Sequence, residues 1–290
     1  MPTPDTGIKA ALESGASRLA AAGVPTPEVD AALLLAHVLG LGRGELAAKS
    51  VAGAAVDAVA RTAYDAALDR RAAREPLQHI TGVAHFRHLT LAVGPGVFVP
   101  RPETELLAQL AIDALLAVPD PRPIGVDLGT GSGAIGIAMA TEVPHARVVA
   151  VERSADAMGW AQQNARTSGA TNLELVLGDL RDGLPELDGR VHVVASNPPY
   201  IPLGAIPRDP EVHHYDPALA LYGGDDGLDL VRALAVTAAR LLVPGGLLAI
   251  EHGEFQATGV QDILATDHWR AIATHRDLTT RPRVTTALRA

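Results

Sequence analysis

The sequence predicts an α/β fold: a mostly parallel sheet with helices on both faces, preceded by a small N-terminal helical bundle and joined to it by a β-hairpin. Three observations predict it. Apolar residues recur at helical spacing through residues 8–74. The period then changes to alternation at Leu89, Leu91 and Val93. From about residue 120, short apolar runs alternate with longer amphipathic ones, as strand–helix units of a parallel sheet do. The expected division is 1–82 for the helical bundle, 83–104 for the hairpin linker and 105–290 for the α/β domain.

Each element has a local cause. Ile8, Leu12 and Leu19 mark a first helix, which Gly23 stops. In Thr26-Pro27-Glu28 the threonine can cap, proline suits the first helical position and glutamate suits the positive end. Val29, Leu33, Leu34, Val38, Leu39 and Leu41 then form a broad stripe. A third helix is expected over 57–74 with Val59, Tyr64 and Leu68 inward, ended by Pro76. Leu89 to Val93 reads as a half-buried strand, Gly94-Pro95-Gly96 as a turn and 97–99 as the second strand of the hairpin. Pro100-Arg101-Pro102-Glu103-Thr104-Glu105 leads into a helix with Leu106, Leu107, Leu110 and Ile112. Strands are expected at 124–128, 147–151, 173–177, 191–195 and 247–250. Helices are expected near 133–141, 155–167, 228–242 and 254–265, with a final pair of strands within 269–288.

Composition excludes several classes. The chain has 290 residues, of which 48% are hydrophobic, enough for a sizeable core. With 24 Lys+Arg against 33 Asp+Glu its net charge is −9, which argues against gripping nucleic acid stably. The absence of cysteine removes disulfides, thiolate-ligated zinc and a cysteine nucleophile, and fits a reducing, cytoplasmic setting. The amino terminus has no basic segment followed by an apolar run, so no secretory leader is expected, and no stretch is long enough for a membrane span. His213-His214 has no second ligand cluster beside it and reads as an exposed pair, so no metal site is expected. The run from Gly223 to Asp229 lacks the ligand spacing of a calcium loop and reads as a turn and helix start.

Two motifs carry chemistry. Asp127-Leu128-Gly129-Thr130-Gly131-Ser132-Gly133 follows a strand and opens a helix, where open α/β sheets bind ligands. Its spacing is neither that of a dinucleotide site nor that of a P-loop. Glu152 closes the next strand and can accept from both hydroxyls of a ribose. Asp179, after the third strand, is placed to meet an adenine amino group. Three carboxylates at Asp127, Glu152 and Asp179, without an evident counter-cation, favour a cationic ligand over a pyrophosphate. S-adenosylmethionine fits, having an adenosine, a sulfonium and no phosphate.

The second motif is Asn197-Pro198-Pro199-Tyr200, at the end of an apolar strand. Its prolines remove two backbone donors and stiffen the bend. The Asn197 side-chain oxygen and the Pro198 carbonyl can converge as two acceptors, with Tyr200 as an aromatic wall. Two acceptors on the N–H bonds of a planar NH2 group orient its nitrogen and stabilise the positive charge that develops there on methylation. No general base is needed before attack; in-line placement does most of the work.

These motifs resemble class I, Rossmann-like methyltransferases acting on planar amino groups. The resemblance extends over nearly the whole chain to the protein-(glutamine-N5) methyltransferases of peptide chain release factors, the PrmC/HemK family. It is carried by 98–105 (Phe-Val-Pro-Arg-Pro-Glu-Thr-Glu), by 74–82, by Tyr215-Asp216-Pro217, by Gly223 to Asp229 and by Asp277-Leu278 with Arg281, Arg283 and Val284. It implies methyl transfer from S-adenosylmethionine to the glutamine of a Gly-Gly-Gln motif in release factors. Gly129 to Gly133 and Glu152 would hold the cofactor, Asn197 would touch cofactor and substrate, and Asn197 to Tyr200 would line the glutamine pocket. Where the family often has Asp, this chain has Glu152. Where an aromatic can follow the acid near position 180, it has Leu180, whose contact with adenine would be apolar packing. Phe98 either walls the glutamine channel or packs in the core. Arg101 either positions the substrate or forms an ion pair with Glu103 or Glu105. The alternatives are glutamine methylation of a large-subunit ribosomal protein, adenine-N6 methylation of nucleic acid, and a noncatalytic binding module. A monomer is expected.

Overall fold

The structure, a computed structural model, describes residues 7–290. The first six residues, on which the reading of the amino terminus partly rests, lie outside the described residues. The chain divides into two compact units. One is the chain up to Gly82 together with Arg208–Tyr215, and the other is Val83–Pro207 together with Asp216–Ala290.

The first unit is helical: α1 (Ile8–Ala21), α2 (Pro27–Leu39), α3 (Arg43–Val51), α4 (Ala58–Ala72) and α5 (Leu77–Thr81). Leu19, Leu34, Tyr64 and Leu68 are buried in its core as expected; Leu35, outside the expected stripe, joins them, and Val38, Leu39 and Leu41 pack against the core only partly buried. The Tyr64 hydroxyl donates to the Ala31 carbonyl at 3.1 Å. Gly15 makes room for that ring, since a Cβ there would lie 2.1 Å from the phenol oxygen. Val59 and Val29 depart from expectation: they are 81% and 46% exposed, each in the first turn of its helix and off the packed face. Thr26 does not cap α2; its hydroxyl donates to the Asp30 carboxylate instead, at 2.9 Å. Helix α3 was not expected, because Leu46 is its one buried residue and leaves no apolar stripe to read.

The second unit opens with β1 (Val83–Phe86) and β2 (Leu89–Ala92), paired antiparallel. The expected hairpin is thus displaced. Its turn is at Arg87-His88, with Arg87 at φ +53°, and 97–99 forms no strand. The apolar alternation there has another cause: Val97 and Val99 pack with Val93, Ala84 and Ala157.

Then follow α6 (Thr104–Ala117), β3 (Ile124–Leu128), α7 (Ala134–Glu142), β4 (Arg147–Glu152), α8 (Ala155–Thr167), β5 (Leu173–Leu177) and β6 (Val191–Ser196). After β6 come α9 (Pro210–Tyr215), α10 (Asp229–Leu241), β7 (Leu242–Glu251), α11 (Ala257–Leu264), β8 (Trp269–Arg276) and β9 (Pro282–Arg289). The seven-stranded sheet has the order β5-β4-β3-β6-β7-β9-β8. β9 runs antiparallel to both its neighbours, and the remaining pairs are parallel. β3, β4 and β6 are buried on both faces, so they read as continuous apolar runs rather than alternating ones. β7 starts at Leu242 instead of 247, its extra length passing through a register shift opposite Val191–Val193.

Strand order reverses at β3, whose neighbours are β4 on one side and β6 on the other. A ligand crevice belongs beyond the carboxyl ends of strands at such a point.

Candidate functional site

The registers bring the two motifs together. Asp127 on β3 pairs with Ala195 on β6, so Gly129 and Asn197, each two residues further on, leave the sheet at the same level. Ser196, just before the tetrapeptide, is fully buried, and its hydroxyl donates to the Leu128 carbonyl at 2.5 Å. The two loops are therefore tied at their roots.

The glycine loop needs its glycines. Gly129, Gly131 and Gly133 have φ of +81°, +58° and +89°, a left-handed region that side chains other than glycine rarely enter. Gly129 and Gly131 are half-exposed, whereas Thr130, Ser132 and Gly133 are buried. Asn164 on α8 holds the loop from below. It is fully buried, donates to the carbonyls of Ala92 (3.0 Å) and Ser132 (2.9 Å), and accepts from the Ala92 N–H (2.7 Å).

The three carboxylates prove unlike one another. Glu152, 9% exposed, accepts from the N–H groups of Gly131 (2.8 Å) and Ser154 (2.7 Å). A carboxylate has about four acceptor sites, so acceptor capacity for a ribose remains. Asp127 is fully buried beneath the loop, not in the crevice. Its Oδ2 accepts from the Thr130 hydroxyl (2.5 Å) and the Gly136 N–H (2.9 Å). Burial pushes its carboxyl up to about 7 against those two hydrogen bonds. The structure therefore gives Asp127 a bracing place rather than a ligand-facing one. Asp179 is not without cations: Arg181 lies at 3.0 Å and Arg153 at 3.7 Å. The expectation of an uncompensated triple carboxylate is corrected on both counts. The loop itself still has no lysine or arginine, and Glu152 keeps acceptor capacity beside it, a set of groups that fits S-adenosylmethionine better than a phosphate. Leu180 is 9% exposed and belongs to the core cluster with Val151 and Leu184. Its packing is mainly internal.

The tetrapeptide is buttressed by the segment read from the sequence as a turn and helix start. Ile201 donates to the Leu221 carbonyl (2.8 Å) and accepts from the Gly223 N–H (2.9 Å). A Cβ on Gly223 would lie 2.3 Å from the Pro199 carbonyl oxygen, and one on Gly227 2.2 Å from that of Tyr200. The Gln256 side-chain NH2 donates to the same Tyr200 carbonyl at 2.8 Å. Tyr200 is half-buried, and burial raises its phenol pKa, keeping it neutral.

Asn197 donates through Nδ2 to the Thr104 hydroxyl oxygen at 3.3 Å. Among the described residues no hydrogen bond occupies its Oδ1 or the Pro198 carbonyl, the two acceptors expected to converge. Arg101 makes neither expected ion pair. Its partner is the buried Asp216, at 3.0 Å, and its guanidinium stands 5.1 Å over the Phe98 ring. Burial raises Asp216 to about 6, against the pull of Arg101. Glu105 instead accepts from the Arg87 backbone N–H. His213 and His214 lie exposed on α9, and no group of potential metal ligands occurs among the described residues. No single helix among them is long and apolar enough to cross a membrane.

Sequence reasoning missed Thr104, Glu251, Gln256, Asn164 and the close-packed Gly223 and Gly227. Thr104, Gly223 and Gly227 lay in segments that carry the resemblance without a role of their own, and Glu251 is an acid ending an apolar strand, as Glu152 is.

A parallel sheet reversing at β3, with a glycine loop and an acceptor-rich bend leaving adjacent strands, defines a class I methyltransferase. Residues 10–82 match the family described as PrmC N-terminal domain, and residues 125–276 a methyltransferase domain. A release factor glutamine methyltransferase of Streptomyces coelicolor is 50% identical over 285 residues, covering 98% of each chain. One of Mycolicibacterium smegmatis is 45% identical over 288 residues, again 98% of each. A 4-amino-L-phenylalanine/4-methylamino-L-phenylalanine methyltransferase of Streptomyces pristinaespiralis is 46% identical over 204 residues, 69% of each chain. The chain belongs to the release factor glutamine methyltransferase family.

Proposed function

We propose that this protein methylates the side-chain nitrogen of the glutamine in the Gly-Gly-Gln motif of peptide chain release factors, in the cytoplasm. The observation that carries the reading is Asn197 with its NH2 engaged by Thr104, which leaves its Oδ1 as an acceptor. S-adenosylmethionine, when bound, supplies an electrophilic methyl carbon on a cationic sulfur. Gly129 to Gly133 and Glu152 would hold it, Glu152 through the ribose hydroxyls. Asn197 Oδ1 and the Pro198 carbonyl accept the two N–H bonds of the substrate amide. They hold the nitrogen in line and offset its growing positive charge until a proton leaves. Phe98 and Arg101 border the glutamine side chain, Arg101 anchored by Asp216. The helical unit recognises the protein substrate, and the enzyme works as a monomer.

The relative acting on an arylamine presents the same chemical group, a planar NH2. The match of 10–82 and the full-length relatives favour a protein substrate. The test is incubation with labelled S-adenosylmethionine and, separately, a release factor, a ribosomal-protein substrate, an amino-phenylalanine and DNA. Label is expected in the Gly-Gly-Gln peptide and lost when that glutamine is replaced by alanine. Label confined to any other acceptor overturns the reading.

A further inference from the structure

One buried acid in the catalytic unit has no part in the scheme above. Glu251, the last residue of β7, is 1% exposed, and its Oε2 has no hydrogen-bond partner. Its position is fixed by register. Ser196 on β6 pairs with Ile250 on β7, so Asn197 and Glu251 stand side by side where the two strands end. Helix α6 packs against both strands, and its first residue, the buried Thr104, reaches the same point. An ionisable group buried without a partner costs stability, and such groups gather at functional sites.

We infer that Glu251 and Thr104 are positioning residues that lock the Asn197 amide in one orientation, Nδ2 inward and Oδ1 toward the substrate. The logic is donor counting. A threonine hydroxyl has one hydrogen. With that hydrogen given to the Glu251 carboxylate, its oxygen can only accept, and it accepts from Asn197 Nδ2, as observed at 3.3 Å. The opposite flip would set the Asn197 carbonyl against that oxygen with no hydrogen between them. A chain from carboxylate through hydroxyl to amide also polarises Asn197, making Oδ1 a stronger acceptor where positive charge grows. The pocket thereby reads a donor NH2 and rejects a carboxylate or carbonyl. The inference rests on the functional reading above and adds to it the residues that set the polarity of the pocket.

Titration supports the same arrangement. Burial pushes the Glu251 carboxyl up to about 7, opposed by the polar side chains of Thr104 and Asn197 near it. Glu103, ahead of α6, raises it further and Arg283 on β9 lowers it. Tyr200 and the neighbouring His252 also face this region, but burial keeps the phenol protonated and lowers the imidazole pKa, so both stay neutral near pH 7. When Glu251 is protonated, its own O–H can serve Thr104 and the threonine hydrogen can turn to Asn197, releasing the lock.

The experiment compares Thr104→Ser, Thr104→Val, Glu251→Gln and wild type in methylation of a release factor. It also follows the Asn197 side-chain NH2 by nitrogen-15 NMR in the protein without substrate, assigned by its loss in Asn197→Ala. Thr104→Val should lose roughly 10- to 100-fold in kcat/KM with unchanged affinity for S-adenosylhomocysteine. Thr104→Ser, which keeps the hydroxyl, should recover most of that loss. Wild-type kcat/KM should rise with pH through about 7, and Glu251→Gln should flatten the profile. The Asn197 NH2 signals should shift over the same pH range in wild type and not in Glu251→Gln. The inference is overturned if Thr104→Ser is as impaired as Thr104→Val, if Thr104→Val matches wild type, or if the NH2 signals ignore pH. Failure of the functional reading looks different. The wild type would then leave release factor unlabelled while the NMR response, which needs no substrate, still decides the lock.

Discussion

Asn197 and Asn164 are the same residue type doing opposite work. Asn197 keeps an acceptor unspent at the pocket, and Asn164 spends both its donor hydrogens and an acceptor site on backbone. Asn197→Ala should lower turnover by on the order of 100-fold or more, because it deletes one of two acceptors on the reacting nitrogen. Affinity for S-adenosylhomocysteine should stay close to wild type, since Glu152 and the glycine loop are untouched; near-normal turnover would sink the two-acceptor mechanism. Asn164→Ala should act on stability. It strands the Ala92 N–H and the carbonyls of Ala92 and Ser132 in a buried place, at a cost of about 2–4 kcal/mol. A denaturant midpoint that barely moves would show that water or a shifted backbone replaces those bonds.

At the scale of elements, the tetrapeptide works because another loop is pressed against its backbone. Gly227 sits at φ +77°, and a Cβ there would lie 2.2 Å from the Tyr200 carbonyl oxygen, which Gln256 also holds. Gly227→Ala should therefore displace Tyr200 and with it the glutamine pocket. Its kcat/KM for release factor should fall at least 10-fold, a shift of about 1 Å being enough for such losses. Measured S-adenosylhomocysteine affinity should change little; an unimpaired variant would mean the buttress is dispensable. This pairing of loops marks the border of what the sequence could disclose. Strands β3, β4 and β6 were legible because double burial writes them as apolar runs. The glycine loop and the tetrapeptide were legible because each is contiguous. Arg101 with Asp216, and Glu251 beside Asn197, are joined only by strand register and chain return, which leave no local trace. The hairpin was misplaced because Val97 and Val99 alternate for packing rather than for pairing. Helix α9 escaped notice because its apolar content is slight. Yet its Glu211 is held by Arg71 and Arg74 at 2.8 and 2.7 Å, and Arg71 also meets the buried Asp30 at 2.7 Å.

Over the whole molecule, acids fall into two groups with opposite consequences for stability. Burial works against the Glu211 carboxylate, but Arg74 and Arg71 hold it at about 2, so its contribution is lost only as pH falls below the ordinary range. Asp127, Asp216 and Glu251 are shifted the other way, to about 7, 6 and 7, by burial. For these three the native state binds protons more tightly than the unfolded chain, so each subtracts stability as pH rises from about 4 to its folded pKa. One lies under the glycine loop, one is paired with Arg101 and one stands beside Asn197. A net charge of −9 adds repulsion in the same direction. Thermal stability should therefore be greatest at about pH 4 to 5 and decline toward pH 7.5, where the enzyme is expected to work. Asp127→Asn, which keeps the acceptor for Thr130 and Gly136, should flatten part of that decline. A melting temperature that is constant or rises from pH 5 to 7.5 would refute the assignment. The charged forms that weaken the fold are the ones the proposed scheme calls on: an ionised Glu251 to orient Asn197, and an ionised Asp216 to anchor Arg101. Stability given up near neutrality is then a direct consequence of holding buried carboxylates around the proposed site.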